Sequence, residues 1–255
     1  MPTNRYFIDF SYDGSSYHGF QKQLNAITVQ EIMENTISKI LRDEINIISA
    51  GRTDTGVHAK KMFAHFDVKN NIEEENFCYL INRLLPNDIA IKAIHKVKSD
   101  SHSRFDAISR TYNYFITNTK NPFNHGYSYY LSEKLDYSKM NKASKKFLKY
   151  DNFKCFSKSN TDVKTYNCEI SNAEWVKSGD DYKFIISSNR FLRNMVRAIV
   201  GTIIEIGKGK LQIKDLDEII QSRDRRNAGY SVPPQGLFLT EIKYDKKIFL
   251  KSWKK

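Results

Sequence analysis

The apolar residues of this 255-residue chain change period in the same order twice, and that order limits the fold more than any single motif does. Tyr6, Ile8, Phe10 and Tyr12 alternate over 6–12, the period of a half-buried strand. Thr28 and Glu31 form a capping box ahead of Met33, Ile37, Ile40 and Leu41, which recur at helical spacing. Ile45 and Ile47 predict a short strand, and residues 63–68 another. Three acids, Glu73 to Glu75, suit a helix N-terminus. Phe77, Leu80, Ile81, Leu84 and Leu85 give that helix an apolar face, and Pro86 ends it before a strand at 89–97.

The second half repeats the order. RTYNYFIT (110–117) is β-rich, and Met140, Ala143, Phe147 and Leu148 mark an amphipathic helix. Strands are predicted at about 168–176 and 182–187, then a helix from about 191 with Leu192, Met195, Val196, Ile199, Val200 and Ile203 on one stripe. A shorter helix carries Leu216, Ile219 and Ile220, and LFLTEIKY (237–244) is the last strand. Each half reads βαββαβ, the ferredoxin-like order, although no residue-level repeat relates them. The expected fold is α/β (α+β): two βαββαβ halves, 1–105 and 106–255, forming a mixed, mainly antiparallel sheet with helices on one face, and two such units side by side make a cleft. The lysine-rich ends, such as KSWKK, read as solvated tails.

Charge bears on the partner. Forty-one Lys and Arg against 29 Asp and Glu leave +12, which favours a polyanion; an AT-rich genome would also inflate Lys, Tyr, Phe, Ile and Asn. Of the 33 aromatics, 31 are Tyr or Phe, enough to fill a core and leave rings for stacking on unpaired bases. The start, MPTNRYFIDF, lacks the apolar core of a signal peptide, and no apolar run approaches the ~18 residues of a membrane span. Cys78, Cys155 and Cys168 are odd in number with no CxxC pair, which excludes a disulfide scaffold and fits reduced thiols in the cytoplasm.

Three clusters are candidates for chemistry. ISAGRTDTGVHAK (48–60) places Asp54 on a loop between strands, with glycines at 51 and 56; an Asx-turn is the structural alternative. RFLRNMVRAIVG (190–201) projects Arg190, Arg193 and Arg197 from the side of a helix away from its apolar stripe. That is either a solvated face or a set of planar contacts to phosphate or carboxylate. Tyr112 and Tyr114 share one face of a strand, as core or as a base-stacking platform. The six histidines show no metal-ligand spacing, and no phosphate-cradling glycine loop is present, so neither a metal nor a nucleotide cofactor is expected. Gly207-Lys208-Gly209-Lys210 reads as a basic turn.

The loop AGRTDTGVHA (50–59) resembles the catalytic loop of the tRNA pseudouridine synthase A (TruA) family. SYDGSSYHGFQKQ (11–23), NRLLPNDIAI (82–91), HSRFDAISRTYNY (102–114), RFLRNMVRAIVG (190–201) and GLFL (236–239) stand in the family's order and spacing, over about 6–244. The resemblance implies isomerisation of uridine to pseudouridine at positions 38, 39 and 40 of the tRNA anticodon arm, by a homodimer without a cofactor, whose two halves form a pseudo-twofold α/β fold with an RNA-binding cleft. It implies Asp54 as the catalytic carboxylate, Tyr112 as the ring stacked on the target base and Arg197 as the partner of the aspartate. It also implies Arg52 as a residue that opens the site and flips the base, and Leu237 as part of the pocket lining. A carboxylate can add to C1′ or remove the 2′ proton to give a glycal; both routes need it ionised. Departures from the commoner family pattern are Phe20 for tryptophan, Lys61-Met62 for Gly-Gln, and Asn167 for arginine. The competing readings are the same reaction on ribosomal RNA and an RNA-binding module with a vestigial loop. A sugar glycosidase fits less well, because it usually needs two carboxylates at the bond and predicts no basic excess.

Overall fold

In the first half of the chain, β1 (Asn4–Tyr12) lies between β3 (His58–Val68) and β4 (Ile89–Lys96), antiparallel to both. The computed structural model describes residues 3–159, 163–179 and 181–250, so the KSWKK tail lies outside the described residues. The chain divides into two compact units, one formed by the chain up to Ile108 and from Leu239 on, the other by Ser109–Phe238. The fold is α/β, a mainly antiparallel sheet with helices, as the hydrophobic pattern predicts.

The first unit has strand order β4-β1-β3-β9, with β9 (Leu237–Tyr244) matching its expected bounds and β2 (Ile48–Ser49) pairing with β3. Helix α1 (Val29–Leu41) starts where the capping box places it: the Thr28 hydroxyl accepts from Glu31 N–H at 3.4 Å. Helix α2 (Glu74–Leu84) is capped by the Glu73 carboxylate, which accepts from Asn76 N–H at 2.7 Å. Both helices pack together, and Phe77 of α2 meets Phe66 of β3, itself stacked on Tyr6.

Three local expectations change here. Ile45 and Ile47 are buried but precede β2, which is only two residues long. Leu80 and Leu84 of α2 are exposed, so only Phe77 and Ile81 of its helical face are buried. β1 is buried on both faces, not one. Its second face carries Phe7, which packs on Phe63, His65 and Tyr244 and on Phe249 from the segment after β9. Alternation describes one face of a strand; the second was covered by a residue about 240 positions away.

The second unit orders its strands β5 (Ala107–Thr117), β8 (Asp181–Ser188) and β7 (Ile170–Ser178), antiparallel throughout, with the two-residue β6 (Tyr129–Tyr130) parallel to β5. Helix α3 (Tyr137–Ser144) buries Met140 and Ala143 and packs on α4 (Met195–Gly207) and β7, while Leu148 beyond it is exposed. Eleven of the thirteen residues of α4 are buried, among them Ala198, Gly201, Thr202 and Ile204 outside the expected stripe. It is a central helix and not an amphipathic one. Gly201 makes this possible, because a Cβ there would lie 1.8 Å from Tyr230 O. The basic turn ends α4 in a Schellman motif: Gly209, at φ +76°, donates to Ile206 O and Lys210 N–H to Glu205 O, both at 3.0 Å. Helix α5 (Asp215–Ser222) buries Leu216, Ile219 and Ile220 as expected.

Candidate active site

The Asp54 loop runs from the end of β2 to the start of β3. Backbone bonds build its turn: Val57 N–H donates to Asp54 O at 3.1 Å, and Gly56 takes φ +74° at the third turn position. Ala50 N–H donates to Phe63 O at 2.7 Å and the Ser49 hydroxyl to Gly51 O at 2.7 Å, which fixes the entry to the loop. The turn is thus closed on the main-chain carbonyl of Asp54. Asp54 is half-buried and Arg52 exposed, while Thr53 between them is buried.

The segment after β1 clasps this loop. The Tyr12 phenol meets Thr53 Oγ1 at 2.8 Å, Phe20 N–H donates to Thr53 O at 3.3 Å and Gly56 N–H to Tyr17 O at 3.4 Å. Gly19 sits at φ +90°, and a Cβ there would lie 2.6 Å from Thr53 O. Tyr17 donates its phenol to Asp88 Oδ1 at 2.6 Å, and Asp13 N–H donates to Asp88 O at 2.9 Å. Burial first, then Asp88, pushes the Tyr17 phenol up, so it remains a donor. Residues from the motifs 11–23, 50–59 and 82–91 therefore meet in one place. Phe20 lies in the core against Phe10 and Tyr12, filling the place of the commoner tryptophan. Lys61 reaches Asp9 at 3.5 Å, and Met62 is buried.

In the second unit Tyr112 and Tyr114 share a face of β5 but differ in setting. Tyr114 is wholly buried and donates to Pro233 O at 2.8 Å, so it is core. Tyr112 is half-buried and meets Phe191 edge-on at 5.2 Å between centroids. Arg197 lies in the first turn of α4. Its Nε donates to Val232 O at 2.7 Å while Val232 N–H donates back to Arg197 O at 3.2 Å, which sets the plane of the guanidinium. Asn194, the left-handed residue before α4, donates to Ser231 Oγ at 2.7 Å. The helix begins at Met195, so Arg190 and Arg193 precede it and only Arg197 lies on it, correcting the expected three-arginine face. The chain leaves helical geometry at Asn194 because its φ is +66°. Leu237 is buried at the start of β9, just after Gly236, where a Cβ would lie 2.9 Å from Phe115 O.

One residue of the first-unit cluster has no signal in metal-ligand spacing. His58 is buried beneath the Asp54 turn, with Nδ1 2.9 Å from Asp13 Oδ1. Its position four residues after Asp54, directly behind Gly56-Val57, was the only cue. Among the described residues no group of three or more His, Cys, Asp or Glu is arranged to hold a metal ion, and no helix is long and apolar enough to cross a membrane.

Residues 10–106 and 143–245 match the family described as tRNA pseudouridine synthase. The protein named tRNA pseudouridine synthase A from Bacteroides thetaiotaomicron is 47% identical over 254 residues, 98% of this chain and 94% of that protein. The proteins of the same name from Acetivibrio thermocellus and Staphylococcus aureus MRSA252 are 40% and 34% identical, over 91% and 98% of this chain and 96% and 95% of theirs. The family match takes in the Asp54 loop, its clasp and the Arg197 helix, the near full-length relatives span the Tyr112 strand as well, and the chain belongs to the tRNA pseudouridine synthase family of isomerases.

Proposed function

We propose that this protein converts uridine to pseudouridine at positions 38, 39 and 40 of the tRNA anticodon arm, with Asp54 as the essential carboxylate. The observation that carries this reading is the Asp54 turn, closed by main-chain bonds and clasped by Tyr12, Tyr17 and Phe20, which holds a half-buried carboxylate at a fixed place on a loop between two strands. The names of near full-length relatives support tRNA as the substrate.

In the reaction the N1–C1′ bond breaks, C5 bonds to C1′, the C5 proton leaves and N1 takes one up. The product is an isomer, so no electrons are gained or lost. Asp54 attacks C1′ or takes the 2′ proton, and in either role it must be ionised. Arg197 is assigned as the partner of that carboxylate. The Tyr112 ring holds the detached uracil by stacking, and Leu237 lines the pocket. Arg52, exposed on the loop, assists extrusion of the base, which costs a few kcal/mol and least where pairing is weak. The +12 charge suits a tRNA substrate in the cytoplasm, and the working form is a homodimer that needs no cofactor.

The test is site-resolved pseudouridine mapping on unmodified tRNA transcripts treated with wild type and Asp54→Ala. Pseudouridine in the anticodon arm with wild type alone is expected. Product from Asp54→Ala refutes the carboxylate assignment; product only on ribosomal RNA refutes the substrate. Arg197→Ala should slow the single-turnover rate at saturating tRNA, and an unchanged rate removes Arg197 from the chemistry.

A further inference from the structure

The Asp54 turn is braced from below by two residues to which the proposed chemistry gives no part. His58, the first residue of β3, is 1% exposed. Its Nδ1 stands 2.9 Å from Asp13 Oδ1 and accepts from Gly14 N–H at 3.1 Å. An imidazole nitrogen offers either a proton or a lone pair. Protonated, it donates to Asp13; unprotonated, it accepts from Gly14. In both states the ring is bound to the same dipeptide. That dipeptide is itself fixed, since Asp13 Oδ1 accepts from Ser15 N–H at 2.9 Å and Asp13 N–H donates to Asp88 O at 2.9 Å. Gly14 in turn lies directly on the turn: a Cβ there would stand 2.1 Å from Val57 O and 2.6 Å from Val57 C. Val57 N–H is the group that closes the turn on Asp54 O. His58, Asp13–Gly14, Val57 and Asp54 thus form a continuous run of contacts within one unit.

We propose that His58 and Asp13 act as a positioning pair for the isomerisation, pressing residues 13–14 against Val57 and so fixing the direction in which the Asp54 carboxylate is presented. The inference rests on the assignment of Asp54 made above. Neither residue touches the uridine. A buried imidazole costs desolvation that an apolar side chain would not, and the return is a directed bond at a defined nitrogen. Carboxylate attack tolerates little misplacement, since a shift of about 1 Å costs on the order of 100-fold in rate.

The test compares His58→Asn, whose amide nitrogen falls near the place of Nδ1, with His58→Gln, whose amide falls near Nε2, and with Asp13→Ala. Single-turnover release of tritium from a tRNA transcript carrying [5-³H]uridine gives the rate at saturating enzyme, filter binding gives the tRNA Kd, and circular dichroism gives the folded fraction. His58→Gln and Asp13→Ala should each slow the rate per folded molecule by about 30-fold or more with Kd nearly unchanged, while His58→Asn recovers most of it. The double variant Asp13→Ala/His58→Gln should lose no more than the worse single one, as expected of one coupled pair. Equal behaviour of His58→Asn and His58→Gln, or a loss confined to Kd or to folding, overturns the proposal. If the His58 variants do not fold, Asp13→Ala decides, because its side chain is 28% exposed, and a wild-type rate refutes the pair. Asp54→Ala is measured alongside: its activity would overturn the underlying reading, whereas an inactive Asp54→Ala with a fast His58→Gln overturns the positioning pair alone.

Discussion

Gly19→Ala tests whether the clasp of residues 12–20 sets the geometry of the Asp54 loop. Gly19 has φ +90°, and an added Cβ would meet Thr53 O at 2.6 Å and the Asp54 carbonyl carbon at 3.3 Å. Two costs combine. An L-residue in left-handed backbone loses about 1–2 kcal/mol. The close contact is with main chain, so no rotamer change relieves it, and overpacking of this kind costs about 1–3 kcal/mol. Gly209→Ala separates the two, since Gly209 has φ +76° and nothing lies within 4 Å of its added Cβ. At about 2–4 °C in Tm per kcal/mol, Gly209→Ala should lower Tm by roughly 2–8 °C and Gly19→Ala by about twice that. Urea unfolding supplies the free energies, and m should stay constant. In tritium-release assays Gly209→Ala should turn over like wild type per folded molecule, while Gly19→Ala is slowed because Thr53 must move. Equal free-energy losses for the two variants refute the packing argument. A destabilised Gly19→Ala with wild-type turnover refutes the link from clasp to carboxylate.

Other measurements bear on separate parts of the molecule. His65 is buried, bonded through Nδ1 to Ser103 Oγ at 2.8 Å, and burial, with Arg5 adding, pushes its pKa down to about 4. The unfolded chain therefore binds a proton below about pH 6.5 that the folded chain refuses, and stability falls as pH drops from 6.5 towards 4, by roughly 3 kcal/mol in total. His65→Gln should flatten that part of the stability–pH curve, and an unaltered slope contradicts the assignment. Burial raises the Cys155 thiol to about 12 and the Cys168 thiol to about 11, so native protein should react with iodoacetamide at half-buried Cys78 only, with all three labelled after unfolding. Replacing all three by Ser should leave the isomerisation intact, and an inactive but folded triple variant would reveal a thiol role. tRNA affinity should fall steeply between 50 and 200 mM salt, about 10³-fold or more if six or so phosphates are neutralised, and a flat dependence contradicts the basic surface as the tRNA site.

Much of this protein is local in origin and therefore legible in the residues. The helix starts at Thr28 and Glu73, the stop at Pro86, the bounds of β9 and the Asp54 loop between strands all follow from neighbours within a few positions. Side-chain capping, period and turn glycines act over one or two turns of chain, so the sequence displays them directly. The motifs themselves also suffice to place the chain in its family.

What only the tertiary structure decided involves partners far apart in the chain. β1 shows alternation, yet its second face is covered by Phe249. α4 shows a stripe, yet Gly201 against Tyr230 lets the whole helix sink into the core. Tyr112 and Tyr114 are equivalent by alternation, and only the Pro233 carbonyl at the end of a distant loop makes the second one core. His58 carries no spacing signal because its partner is Asp13, which reaches it across a strand pairing and not along the chain. Periodicity records which side of an element is apolar, but the packing that covers each side, and the polar pairs that survive inside it, arise only when distant segments compete for the same buried space.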